Sequence, residues 1–207
     1  MLDLTLFALF IPTFFVVSIT PGMCMTLALT LGMSIGVKRT MWMMFGELLG
    51  VAIVAVSAVI GVSTIMLQYP FIFQILKWVG GLYLMWLGLN MWLNRGKLAL
   101  SSLPQEQQTI SRKQLFNQGL VTAVANPKGW AFMISLLPPF INPELSMPLQ
   151  LTILVAIIMV SEFVCMMLYA SGGKTLANLL KSENNVTKMN KISGTLMVAV
   201  GVWLALG

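Results

Sequence analysis

The sequence predicts an all-α integral membrane protein: six transmembrane helices in a 3+3 inverted repeat, the first and fourth broken at proline. Three observations predict it. Hydrophobic residues make up 58% of the chain and charged residues only 9%, against roughly a quarter charged in soluble domains. A spanning helix needs about 20 apolar residues, and the chain offers apolar stretches at 4–32, 41–66, 71–93, 115–141, 149–172 and 192–206. Prolines interrupt the first and fourth of these, at Thr20-Pro21-Gly22 and Asn126-Pro127-Lys128. Three helices per half invert the second copy, which relates the halves by a two-fold axis in the membrane plane. Little sequence is left over for a soluble domain. The chain therefore reads as a single transmembrane domain: repeat A about 1–94, a cytoplasmic linker about 95–113, and repeat B about 114–207.

The elements follow in order. The first stretch lacks a basic flank and a small-residue cleavage site, so it is expected to be retained as a helix rather than removed as a signal peptide. Gly32 and Gly36, and then Gly46 and Gly50, are spaced four apart and let helices approach closely. Glu47 lies between the second pair, near the expected start of its helix. In the third stretch Lys77, Gly81, Leu84 and Gly88 share one helical face. Lys77 lies only about 9 Å into the span at 1.5 Å per residue, so it either points into the bundle or snorkels to the interface. The connection with Pro104 and its Ser and Gln residues reads as a linker. The fifth stretch carries Glu162 near mid-span. The polar, basic segment 174–191 follows, and Leu176, Leu179 and Leu180 can lay part of it on the membrane surface. The last stretch is short and is expected to begin somewhat before residue 192.

Charge fixes an orientation. With alternate connections on opposite sides, Lys38, Arg39, Arg95, Lys97, Arg112, Lys113, Lys174, Lys181, Lys188 and Lys191 fall on one side. Asp3 and Glu144 are the loop charges on the other. Basic loops stay in the cytoplasm, so both termini are expected outside. The net charge of +6 is thereby accounted for by topology and anionic lipid, not by nucleic acid. The two cysteines, Cys24 and Cys165, fall within spans as small apolar fillers. The chain has no histidine, no metal-ligand spacing and no nucleophile–base spacing. No metal, cofactor or enzymatic activity is expected.

The chemistry concentrates at the two breaks. Proline removes a backbone donor and clashes with the preceding turn. Thr is a favoured N-cap and Pro a favoured first helical residue, so a half-helix is expected to start at each site, with Thr20 and Asn126 as caps. Free N–H groups and the helix dipole then present positive charge inside the membrane, and Gly22 admits a close neighbour. A lysine at a helix start opposes the dipole, which makes sense if an anion binds beside Lys128. A plain proline kink is the simpler reading of either site alone; two capped sites in matching positions, one with an intramembrane lysine, favour a ligand. Glu162 is a candidate proton carrier or ammonium ligand. Glu47 is the same, or a structural partner of Lys77 or Lys128. Trp130 follows Asn126 by one helical turn and either lines a pocket or packs against lipid and core. Trp42, Trp92 and Trp203 read as interface anchors.

These residues resemble the LysE/RhtB amino-acid exporters of bacterial inner membranes. The resemblance spans nearly the whole chain. It rests on Thr20-Pro21-Gly22, on Gly36 through Gly46-Glu47 to Gly50, on Gly80-Gly81-Leu82-Tyr83-Leu84 with Leu87-Gly88, and on Asn126-Pro127-Lys128 through Phe132 to Pro138. It implies a small helical bundle that exports amino acids or close derivatives, driven by the proton gradient, with Pro21, Gly22, Asn126, Pro127 and Lys128 near the transport path. The sequence departs from the family where Met23 and Cys24 replace a usual Pro and Asn or Asp, and where Val51 replaces a frequent Asp.

The function expected from sequence is thus a secondary transporter in the cytoplasmic membrane for a neutral or apolar amino acid. Thr20, Pro21, Gly22, Asn126, Pro127, Lys128 and Trp130 are the expected substrate residues; Glu162, Glu47 and Lys77 the proton or ammonium residues. A homodimer is compatible with the small-residue faces. Rival readings are a thiol carrier using Cys24 and Cys165, and an uncoupled small-solute channel. The position of Cys165, far from Pro127 in sequence, argues against the first.

Overall fold

The computed structural model describes residues 4–93, 110–137, 140–142 and 145–206. Eight helices account for nearly all of them: α1 (Leu4–Ile19), α2 (Met23–Ile35), α3 (Val37–Gln68), α4 (Pro70–Leu93), α5 (Arg112–Val124), α6 (Pro127–Leu136), α7 (Met147–Lys181) and α8 (Glu183–Leu206). Within α3 and α7, the segments Val37–Gly61 and Met147–Gly173 are each long and apolar enough to cross a membrane. α1 and α2, bent by 59° at the first proline site, are long and apolar enough only when counted together as one path.

Both expected interruptions are real breaks: α1 stops before Pro21, and α5 gives way to α6 at Pro127. Elsewhere the boundaries move. α3 begins at Val37 rather than 41, because one residue suffices to turn the chain: Gly36 adopts φ +81°, which an L side chain rarely tolerates. This earlier start places Glu47 well inside α3, not near its beginning. Gly36 has no neighbour for a β-carbon to meet, so its role is conformational and not the helix contact expected of it. α8 begins at Glu183 rather than near 192. Segment 174–191 is therefore helical throughout, apart from the extended Ser182 that separates α7 from α8, and α7 itself is kinked at Gly173 (φ 47°). The side chains of Leu176, Leu179 and Leu180 lie outside the described residues, as do Asp3, Pro104, Pro138, Glu144 and most of the expected linker. Where that linker ends, α5 opens with a capping box: Ser111 Oγ accepts from the Gln114 amide, and Gln114 Oε1 accepts from the Ser111 amide.

Small residues set the helix contacts. A β-carbon on Gly32 would strike the backbone of Ala170 in α7, and one on Gly46 would strike the backbone of Phe116 in α5. Gly50 abuts Leu120 and Ala123, and Gly119 abuts Met43. The pairing order makes α3 and α5 parallel neighbours. Gly88 meets Gly194, and Gly201 meets Gly81, so α4 and α8 run antiparallel. α7 packs against α1, α2 and α3.

The core divides into two apolar clusters. One gathers Phe10, Phe14, Ala55, Ala58, Leu136 and Ile158 among α1, α3, α6 and α7. The other gathers Ala28, Leu29, Met43, Met44, Leu115 and Met166 at the opposite end of the bundle. Phe14, Val54 and Met133 of the first and Met25 of the second border a cavity between them that polar side chains also line. Beside the second cluster's end, Arg39 Nη2 donates to the Ile110 carbonyl (2.8 Å) and Arg112 stacks over Trp42 (5.5 Å).

Candidate functional site

The two breaks are built differently. At the second, the expectation holds in detail. Asn126 is the N-cap of α6, its Oδ1 accepts from the Lys128 amide at 3.1 Å, and Pro127 occupies the first turn. At the first, Thr20 is not the cap. Gly22 caps α2 with extended backbone and no side-chain bond. The Thr20 hydroxyl instead turns back to the Val16 carbonyl (2.8 Å) and meets the Ser193 hydroxyl (2.9 Å). The reason is local: once Pro21 ends α1, its last carbonyls lose their donors, and a threonine there can supply one. Tyr169 serves the same end, donating from its hydroxyl to the Ile19 carbonyl at 2.8 Å. The first amides of α2 have no side-chain cap, and Gly22, Met23, Cys24 and Met25 all line the cavity.

That cavity, of about 60 Å³, has room for about four to six waters at 10–15 Å³ each. It joins both breaks. Lys128 Nζ comes within 3.7 Å of where a β-carbon on Gly22 would stand, and it sits 5.6 Å from the centroid of the Phe132 ring, one turn further along α6. Asn126 Nδ2 reaches Cys24 Sγ at 3.9 Å. Both acids line the same space. Glu162 Oε1 accepts from Ser18 Oγ at 2.9 Å. Glu47 is 1% exposed, and its Oε2 has no hydrogen-bond partner among the described residues. A buried carboxyl oxygen without a partner is costly, and an incoming donor would relieve it.

The geometry therefore brings Thr20, Gly22, Asn126, Lys128, Glu47 and Glu162 to one cavity. Trp130, Pro21 and Pro127 do not line it. Trp130 turns away, and its Nε1 donates to the Val124 carbonyl at 2.9 Å, closing the end of α5 across the break. Pro21 and Pro127 shape the backbone without lining the cavity. Lys77 lies on α4, with its side chain outside the described residues. Cys24 lines the cavity, whereas Cys165 is buried in the second apolar cluster, and both are free thiols. No cluster of metal-ligating side chains occurs among the described residues. Trp42 and Trp92 are exposed and stack under Arg112 and Lys191; the Trp203 side chain lies outside the described residues.

Sequence reasoning missed Ser18 and Phe14, and named Phe132 only as part of a motif without a place in the site. The signal was present as helical spacing: Phe14 and Ser18 lie one turn apart on the face of α1 that ends at the break, and Phe132 lies one turn beyond Lys128. A second cavity, of about 190 Å³, adjoins the first between α1, α6 and α8, and Val17, Thr20 and Phe132 border both.

Relatives match over nearly the full chain. An uncharacterized membrane protein of Vibrio cholerae is 27% identical, covering 99% of this chain and 98% of its own. The homoserine/homoserine lactone efflux protein of Salmonella typhimurium is 31% identical, covering 91% and 90%. The leucine efflux protein of Klebsiella pneumoniae is 26% identical, covering 90% and 88%. No solved structure matches the chain. The family model for LysE type translocators aligns with residues 15–207, and the chain belongs to that family of membrane translocators.

Proposed function

We propose that the chain is a secondary transporter that exports a neutral or apolar amino acid, or a close derivative, from the bacterial cytoplasm in exchange for protons. The observation that carries this reading is the approach of Lys128 Nζ to Gly22, with Glu162 on the same cavity. A zwitterion needs a cationic and an anionic partner a few ångströms apart. Lys128 and the uncapped start of α2 suit its carboxylate; Glu162 suits its ammonium. Amino-acid efflux in the names of the Salmonella and Klebsiella relatives supports the same substrate class.

Glu162 then supplies the coupling. A proton and a substrate ammonium compete for one carboxylate, so binding of one displaces the other. A proton arriving from outside releases the amino acid there; its loss to the cytoplasm readies the site again. Glu47, buried beside the cavity with an unpartnered oxygen, is a second place for a proton. The two apolar clusters act as alternate closures on either side of the cavity.

The proposed architecture is six spans, with α1–α2 and α5–α6 each forming one, related by an inverted repeat (about 1–94 and 114–207). Its support is the packing pattern. The broken helix of each half packs on the long helix of the other, and α4 pairs with α8, as a two-fold exchange requires. The basic residues at one end support a cytoplasmic location for that end and an outside location for both termini. The homodimer has less support, because Gly32, Gly46 and Gly50 pack within the chain.

Purified protein in liposomes, given a labelled amino acid and an imposed pH gradient, tests the reading. Gradient-dependent accumulation of neutral amino acids is expected. Equilibration that ignores the gradient would make the protein an uncoupled channel instead.

A further inference from the structure

We infer that the second cavity is the side-chain subsite of this transporter, and that it selects α-amino acids bearing an aliphatic or aromatic group up to the size of a benzyl. The inference rests on the export reading above and deepens it. The first cavity, at about 60 Å³, accommodates a charged head but little more. An α-amino acid carries its side chain on the carbon joining its two charged groups, so the space for that side chain must adjoin the head site. The second cavity does so: Val17, Thr20 and Phe132 are walls of both.

Its size and lining fit the role. At about 190 Å³ it exceeds the roughly 150 Å³ apolar cavity that accepts benzene. Pro12, Val16, Leu196 and Met197 supply apolar surface. Two of the shared walls are Thr20, whose hydroxyl meets that of Ser193 (2.9 Å), and the Phe132 ring, which also sits beside the Lys128 ammonium. A side chain extending over Phe132 keeps its carboxylate at Lys128. The hydroxyls of Thr20 and Ser193 give the entrance a polar edge, and an apolar pocket discriminates weakly against an added hydroxyl; a hydroxylated side chain is therefore admitted too.

The test uses the full chain in liposomes with labelled alanine, leucine, phenylalanine and homoserine. Val16→Phe fills the cavity and Met197→Ala enlarges it. Val16→Phe should lower the ratio of leucine to alanine transport by about tenfold or more, and Met197→Ala should raise the ratio of phenylalanine to leucine comparably. If either variant fails to insert, the other carries the test. Unchanged ratios in a variant present at wild-type amounts overturn the subsite, and are what an acyl chain lodged in the cavity would produce. Wild-type transport of alanine and homoserine without leucine or phenylalanine also overturns it while sparing the export reading. Transport of none of the four means the export reading itself has failed.

Discussion

The ammonium of Lys128, on the second broken helix, lies 3.7 Å from the position a β-carbon would take on Gly22, at the start of the first. Residues more than a hundred apart in sequence thus form one electropositive spot. The spot exists because Pro21 and Pro127 each force a helix to restart, and because Asn126 accepts from the Lys128 amide, fixing the turn from which the lysine reaches across. Lys128→Ala should leave the protein in the membrane and lower transport by about 30-fold or more, the cost of losing one partner of a desolvated charge pair. Labelled-substrate uptake into everted vesicles measures this.

Gly22→Ala should be tolerated. The new methyl meets Lys128 Nζ at 3.7 Å and the Thr20 carbonyl at 3.9 Å, both ordinary contacts. Gly22→Leu should insert equally well but abolish transport, since the larger group occupies the place where the carboxylate docks. Equal transport by the two variants would show that the ligand does not approach Gly22.

Glu162→Gln should separate exchange from accumulation. The amide still accepts the Ser18 hydroxyl bond and can still hold an ammonium weakly, but it cannot carry a proton. Counterflow of labelled for unlabelled amino acid should persist at reduced rate, while accumulation against a gradient disappears. Retained gradient-driven accumulation would move the coupling to Glu47 or elsewhere.

Much of this arrangement was legible in the sequence, for a physical reason. A proline after a capping residue in an apolar helix has few explanations, and both such sites proved to be helix restarts. The cap at Asn126 was readable because the cap and the residue it binds are two apart. The role of Thr20 was not: its hydroxyl could cap α2 or bond back to α1, and its further contact with Ser193 is one that only tertiary structure supplies. Trp130 was ambiguous for the same reason, as a tryptophan one turn past a cap can face the ligand or the preceding helix end. The α3 boundary moved because a single glycine turned the chain where a longer loop was expected. The pairing of Gly46 with Phe116 and of Gly32 with Ala170 lay beyond reach, since small-residue spacing identifies a contact face but not its partner.

Cys24→Ser with Cys165→Ser should keep full transport. Cys24 borders the cavity, but Cys165 is enclosed with Met166, Tyr169 and Ala170 in the second apolar cluster. A thiol exchange would need the pair to meet. Loss of transport in the double variant, with protein present at normal amounts, would return a redox role to consideration.

Among the described glycines, Gly46 and Gly119, between α3 and α5, leave the least room for an added group. A β-carbon at Gly46 collides with the Phe116 backbone, and one at Gly119 collides with that of Met43, so neither helix can yield without the other moving. Gly61, on the same helix as Gly46, faces no atom within 4 Å. Gly46→Val should therefore destabilise the fold by several kcal/mol, at or above the roughly 1–3 kcal/mol typical of overpacking. Gly61→Ala should be neutral or slightly stabilising, since alanine is favoured over glycine in a helix by up to about 1 kcal/mol. Thermal unfolding in detergent, followed by the monodisperse fraction remaining, distinguishes them. Equal melting of the two variants would mean that α3 and α5 do not lie in the close parallel contact on which the cavity between Glu47 and Asn126 depends.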